Sequence, residues 1–378
     1  YGTMDGFALF AMEAGPDQLH ISARIEPDGG AAVAANACAA IASVLDARGM
    51  RVLGERAFGT LDCYPAYAAA RETLPHFGSG PFSYVEGAPP WGNGLAGIQI
   101  HAVRPAAGDG FRVLGDAGGP RGRVGERDDA TYVHLAGIHG FVRGGRGEDA
   151  AALFGEMERL LGSCSVRMRE LVRTWIWLDG ISEGYDRLNA ARTARFRSAG
   201  LIPVSGQEPP AYLPASTCVG ARTPAGGFCS SDGLAVTGDV RIVPLAGGLQ
   251  PPAWGYGSAF SRGICLEEKE CRQLFVSGTA AIDGEGRSLH PGDVQAQVEE
   301  TFEVVRSLIA AEGARFRDVR SATIYLKRGA DLEVYDTVAR RWGLGELPAV
   351  VVVADICRDE LLFEMDALAV VGGKGSGR

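Results

Sequence analysis

Gly292-Asp-Val-Gln-Ala-Gln-Val-Glu-Glu-Thr-Phe-Glu-Val-Val-Arg-Ser-Leu-Ile309 decides the architecture, because the order of elements around it occurs more than once. Val294, Val298, Thr301, Phe302, Val305, Leu308 and Ile309 recur at spacings of three and four, the signature of an amphipathic helix. Asp293 is placed to cap its start and Gly313 to end it. Asp318 to Lys327 follows as a strand rich in β-branched and aromatic residues, and a second helix runs through Leu332, Tyr335, Val338 and Trp342. The middle of the chain repeats this order. Glu148 to Leu161 reads as a helix, Glu170 to Asp179 as a strand, and Tyr185, Leu188, Ala191 and Phe196 as a second helix. Trp177 aligns with Tyr325 and Leu178 with Leu326 without a gap. Upstream, Val133-His-Leu-Ala-Gly matches Phe275-Val-Ser-Gly. Agreement over four elements marks an internal repeat.

A fainter third copy opens the chain, with a helix over 31–48 and a strand over 51–59. The Gly/Pro-rich stretches near 88–94 and 246–255 then suggest boundaries, giving modules 1–90, 91–250 and 251–378. Each module reads β–β–α–β–α–β–β: an α+β fold of tandem modules, each a mixed sheet with two helices on one face. Such modules are expected to pack around a barrel-like core, with ligand clefts where they meet. Residues 104–130, dense in Gly, Asp and Arg, read as a hairpin or a mobile loop.

Composition narrows the function. A net charge of −9 over 378 residues leaves no basic stripe to neutralise phosphates, so a nucleic-acid partner is not expected. No run of 18 apolar residues points to a membrane span. No basic-then-apolar leader is read at Tyr1, and a cytoplasmic location is expected. Eight scattered cysteines lack Cys-x-x-Cys pairs and six histidines lack ligand spacing, so neither a disulfide framework nor a metal is expected. The Gly pairs, Gly118-Gly-Pro included, lack the strand and helix context of a nucleotide site. No cofactor is called for.

The stretch Pro348 to Val371 carries the chemistry. Two apolar strands flank a polar turn, and Glu364 sits inside the second. A carboxyl among Leu, Phe, Met, Ala and Val has its pKa raised by desolvation, which suits a general acid near neutral pH. The bland alternative is an edge strand that turns Glu364 and Asp366 to solvent, but Leu362, Leu368 and Val370 share their side. Arg358 in the turn is suited to bidentate carboxylate recognition or to a surface pair with Asp359 or Glu360. Arg173, Arg192 and Arg262 are further cations for an acidic ligand. Tyr256, Ser258 and Ser261 can hydrogen-bond a substrate, and Gly278 and Thr279 end a strand where backbone can approach closely. Cys357 and Ala281 would shape a pocket, and no base stands beside Cys357 to activate it. Trp175 and Trp177 read as core, and His134, His139 and His290 as polar surface or turn residues.

Tyr256-Gly-Ser-Ala-Phe-Ser, Phe275-Val-Ser-Gly-Thr-Ala, Gly292 to Gln297, Asp318 to Leu326 and Leu361-Leu-Phe-Glu-Met-Asp resemble the Rid/YjgF superfamily, trimeric enamine/imine deaminases with sites between subunits. Phe275 to Ile282 and Ala354 to Glu364 look more like its chorismatase branch, two-domain relatives that act on chorismate and release pyruvate. The resemblance is strong over 256–371, looser in the middle and only in outline over the first 90 residues. It implies Glu364 as the acid that protonates an enolpyruvyl ether, with Arg358, Arg262 and Arg173 as carboxylate binders. Tyr256, Ser258, Gly278, Thr279, Ala281 and Cys357 would line the pocket. It also implies a small carboxylate substrate and a trimer-like homo-oligomer. Simple Rid deaminases carry an arginine two residues after the proline of the penultimate strand. Here Val350 and Ser216 hold that place, which speaks against an ordinary imine deaminase.

Overall fold

The computed structural model describes all residues except 1, 5, 31, 107–110, 117, 128, 141–145, 204–209 and 374–378. It contains three six-stranded mixed sheets, one per module. The first holds β1 (Gly2–Met4), β2 (Phe7–Glu13), β3 (Gln18–Ile25), β4 (Arg51–Gly59), β5 (Ser83–Glu86) and β6 (Leu95–Val103), with helices α1 (Val33–Arg48) and α2 (Tyr64–Glu72). The second holds β7 (Phe111–Asp116), β8 (Gly119–Glu126), β9 (Ala130–His139), β10 (Leu171–Leu178), β11 (Ala215–Gly220) and β12 (Cys229–Gly238), with α3 (Arg146–Gly162) and α4 (Ile181–Ser198). The third holds β13 (Arg241–Pro244), β14 (Gly263–Glu267), β15 (Cys271–Ala280), β16 (Val319–Leu326), β17 (Ala349–Val353) and β18 (Phe363–Gly372), with α5 (Val294–Ala310) and α6 (Leu332–Arg341).

The repeat read from the sequence is therefore present three times. Each copy has one more leading strand than expected. The N-terminal copy is a full module rather than an outline, and its sheet extends past residue 90. Strand β6 pairs antiparallel with both β3 and β4, so the Gly/Pro stretch near 88–94 is a connection inside the first module. Gly and Pro mark a change of chain direction, and a turn within a sheet requires that as much as a linker does. Residues 104–130 form the β7–β8 hairpin, paired to β9, except for those outside the described residues.

The expected caps are in place. The Asp293 carboxylate accepts from the Ala296 N–H at 3.0 Å, and Gly313 adopts φ +80° just beyond α5. The apolar stripe of α5 (Val298, Phe302, Val305, Leu308 and Ile309) is buried against β15 and β18. Burial of such side chains contributes about 1.5–3 kcal/mol each. The other faces of the three sheets meet one another: β4 against β9, β11 against β15, and β17 against β3 and β6. They enclose a barrel-like centre, one end of which is filled by Phe58, Trp177 and Tyr325 with Val85, Val219 and Val352. Three modules of this one chain thus make a trimer-like arrangement around that centre.

Candidate active site

Strand β18 lies between β15 and β16, so Glu364 is on a central strand, not on the exposed edge of the bland reading. Along β18, Phe363, Met365 and Ala367 face the helices. Glu364 and Asp366 alternate with them and face the neighbouring module. Glu364 is 4% exposed, and its carboxyl makes no hydrogen bond among the described residues. It opens onto a cleft of about 710 Å³ between the middle and C-terminal modules. Burial pushes its pKa up to about 8, with the Asp366 charge adding to the rise and Arg173 and Arg262 opposing it.

Gly278 explains how the carboxyl fits. A Cβ built on Gly278 would collide with Glu364 Oε1 and stand 3.1 Å from Thr217 Cγ2. Gly278→Ala is therefore expected to displace the acid and lower turnover at least tenfold while leaving the fold intact. Activity measured alongside the melting temperature checks this, and wild-type activity in the variant would refute it.

The cleft gathers Tyr256, Ser258, Arg262, Gly278, Cys357, Arg358 and Glu364 from the expected set. Three others are elsewhere. Thr279 is fully buried and donates to the Ser277 carbonyl at 2.9 Å. Ala281 is fully buried as well, and Ala280 and Ile282 line the cleft in its place. The cause is strand alternation: a site facing Gly278 takes the even-numbered residues that follow. Arg173 turns to the barrel axis, where it donates to Thr217 Oγ1 and pairs with Asp366 at 3.2 Å. His134 is a further correction: it is buried inside the barrel, not at the surface. Trp177 is core as expected.

Helix α4 supplies the wall that the sequence reading weighed least. Ser182, Tyr185, Asp186, Asn189, Arg192 and Arg197 share one helical face and line the cleft. The polar stripe at spacings of three and four was the available signal, but it reads equally as a solvated face. Arg192 is 1% exposed, with Nη1 donating to Ser216 Oγ at 3.2 Å and Nη2 to Asn189 Oδ1 at 2.5 Å. The cation missing from position 216 of β11 is thus delivered to the same place from α4.

Arg262 donates from Nε to the Pro251 carbonyl at 3.0 Å and from Nη2 to Tyr256 Oη at 2.6 Å. Both guanidinium groups pack on Phe260, at 5.4 and 5.6 Å from its ring centroid. Neither has an acidic partner among the described residues. Arg358 donates to the Gly286 carbonyl. Burial holds the Cys357 thiol up at about 12, so it presents a small neutral surface.

Gln297, also missed, fixes the turn that carries Cys357 and Arg358. Its amide donates to the carbonyls of Leu289, His290 and Glu360 at 3.1, 3.1 and 2.8 Å, and its oxygen accepts from the Leu362 N–H at 2.7 Å. The seam beneath is backbone-bonded: Gly220 N–H donates to Asp355 O at 2.7 Å and Ser216 N–H to Ser277 Oγ at 2.9 Å.

The other two module boundaries carry clefts of about 330 and 480 Å³ without an equivalent acid. Register places Ser230 and Gly97 where β18 has Glu364. A Cβ on Gly97 would stand 2.6 Å from Val350 Cγ1. In the cleft between the first two modules, the Arg71 guanidinium is taken up by Glu55 and by the carbonyls of Phe77, Gly78 and Gly80.

Comparison with known proteins agrees with this architecture. Residues 258–371 match the family described as Endoribonuclease L-PSP. Over 101 residues the chain is 33% identical to protein DfrA of Myxococcus xanthus, spanning 26% of this chain and 76% of that protein. The chain belongs to the Rid/YjgF (L-PSP) superfamily. Within it, a crystal structure of a chorismatase is similar in fold, with a TM-score of 0.61 and 24% identity over 84% of this chain and 93% of that one. The Rid modules here are accordingly arranged in tandem, as in that protein. No helix among the described residues is long and apolar enough to cross a membrane.

Proposed function

We propose that the cleft between the middle and C-terminal modules cleaves the enolpyruvyl ether of chorismate by general-acid catalysis. One observation carries this reading. A desolvated carboxyl, Glu364, whose pKa burial pushes up to about 8, shares a cleft with two buried arginines, Arg192 and Arg262, that lack acidic partners among the described residues. Buried cations without counter-charges are costly, and a dianionic ligand supplies what they lack. Chorismate has two carboxylates and an enol ether, which matches both halves of the site. The solved relative of the same fold bears the name chorismatase.

Glu364 would deliver its proton to the methylene carbon of the enolpyruvyl group, making an oxocarbenium ion. Water then adds to that ion and gives a proton back to Glu364, and the hemiketal collapses to pyruvate and a dihydroxycyclohexadiene carboxylate. Where a ring hydroxyl adds instead, the cyclic ketal opens with loss of a ring C–H proton and releases pyruvate and a hydroxybenzoate. The step needs a proton donor and electrostatic support for developing charge, and no cofactor. Arg192, Arg262 and Arg358 hold the carboxylates, and Tyr256 and Ser258 bond the ring oxygens.

Pyruvate released from chorismate, followed by a coupled assay, tests the reading. No pyruvate above background would remove it in favour of an enamine or imine substrate, or of a binding role without turnover. Arg262→Met is expected to raise KM about tenfold to a hundredfold, the worth of one charge-assisted hydrogen bond to a carboxylate. An unchanged KM would take Arg262 out of substrate binding.

A further inference from the structure

The barrel axis holds charged and polar groups that the proposed reaction does not use. His20 on β3, His101 on β6 and His134 on β9 are all buried there, and the first two stack with ring centroids 4.5 Å apart. With Arg56, Gln99, Arg173, Trp175 and the two carboxylates Glu55 and Asp366 they line a cavity of about 60 Å³. That is room for one or two atoms of oxygen or halide size. Three buried nitrogens here have no hydrogen-bond partner among the described residues: Arg173 Nη1, His20 Nε2 and His134 Nδ1. A buried donor left unmet costs about 1–3 kcal/mol, so each calls for an occupant of the cavity.

The chemistry of these three atoms is one-sided. A guanidinium nitrogen only donates. Each imidazole can carry its proton on the unpartnered nitrogen, because no hydrogen bond of the other ring nitrogen is seen among the described residues. Three N–H groups on residues that line one cavity make the donor set of an anion.

The two carboxylates of the lining are each taken up by an arginine, Glu55 by Arg71 and Asp366 by Arg173. Arg56 is matched by Asp232 at 2.8 Å, Arg173 by Asp366 at 3.2 Å and Arg71 by Glu55 at 2.7 Å. Arg123 is left over: it is buried and donates to carbonyl oxygens, at 2.8 Å for Pro81 and 3.5 Å for Phe77. At His134 the Asp232 charge favours protonation, and Arg56 and Arg123 oppose it.

We propose that this axial cavity is a binding site for one small monovalent anion of halide size, held by Arg173, His20 and His134. It would join the first two modules at the centre of the molecule, independently of the reaction in the cleft.

Crystals of the full chain grown in sodium bromide are expected to show an anomalous peak within hydrogen-bond reach of Arg173 Nη1. In solution, chloride or bromide should raise the melting temperature above that in sodium gluconate of equal concentration. With halide well above its Kd the rise is expected to be about 2 °C or more. His134→Phe, which leaves the three ion pairs intact, should abolish that difference. If this variant does not fold, the anomalous measurement on the unaltered protein still decides. Water density without an anomalous signal, or bromide only at the surface, would overturn the proposal. So would equal melting temperatures in halide and gluconate.

Discussion

Glu364→Gln is expected to lower pyruvate release by about 10²–10⁴-fold, the usual worth of a positioned general acid, while a dicarboxylate ligand still binds in calorimetry. Glutamine keeps the volume and the neutral polarity of a protonated carboxyl but has no acidic proton to give. With the Glu364 pKa raised to about 8, the wild-type rate should hold at lower pH and fall as the pH rises through 8, since the acid form is then lost. The same shift has a consequence for folding. A carboxyl whose folded pKa is raised contributes stability that is fully present below its unfolded value of about 4.3. That stability is lost as the pH rises through 8. The glutamine variant should therefore gain stability over wild type by a few kcal/mol at pH 9, measured by urea unfolding. A variant with wild-type turnover would end the general-acid assignment. A variant that is inactive but no more stable at pH 9 would show instead that Glu364 is not held neutral.

Acidification from pH 7 to 5 is expected to remove about 4 kcal/mol of stability through two of the histidines on the barrel axis, partly offset by Glu364. Burial depresses all three. His20 falls to about 3, with Arg320 and His134 adding to the effect. His134 falls to about 4, with Arg56 and Arg123 opposing protonation and Asp232 favouring it. His101 lies well below the ordinary imidazole range, through burial and then His20, His134 and Arg127. Each is neutral when folded and takes up a proton on unfolding below about pH 6.5. Their contribution is complete above that value and lost as the pH falls below it, at about 1.4 kcal/mol per unit for each histidine. His20 and His134 give about 4 kcal/mol over about 1.5 units, and His101 acts in the same direction. Glu364 acts in the opposite sense and offsets about 3 kcal/mol between pH 7 and 5. Urea midpoints from pH 8 to 5 measure the slope, and His20→Phe or His134→Phe should flatten it by about one proton each. A midpoint flat between pH 7 and 5 would contradict the burial of these rings.

The repeat of helix, strand and helix was legible because periodicity is a local property. The α5 stripe from Val294 to Ile309 and the alternation in Asp318 to Lys327 announce themselves wherever the chain places them. The same holds for Glu364, whose apolar neighbours on β18 already imply desolvation. The module boundary near residue 90 was not legible, because Gly and Pro mark turns within sheets as well as between them.

Which side a residue faces across a module boundary depends on sheet packing. Thr279 and Ala281 were therefore named where Ala280 and Ile282 line the cleft. Arg173 and Arg192 look alike in the sequence, one on a strand and one on a helix, yet the first pairs with Asp366 at the axis and the second faces the cleft. His20, His101 and His134 lie far apart along the chain, and no spacing rule could bring them together.

By itself the sequence determined the element types, the repeated module and the acid on its last strand, since each follows from short-range pattern and composition. Only the tertiary structure decided that three modules of one chain close the barrel, that the acid on β18 opens into one of three similar clefts, and which arginines flank it. Those outcomes depend on side chains from separate modules sharing a low-dielectric space, where burial and charge act through distance rather than along the chain.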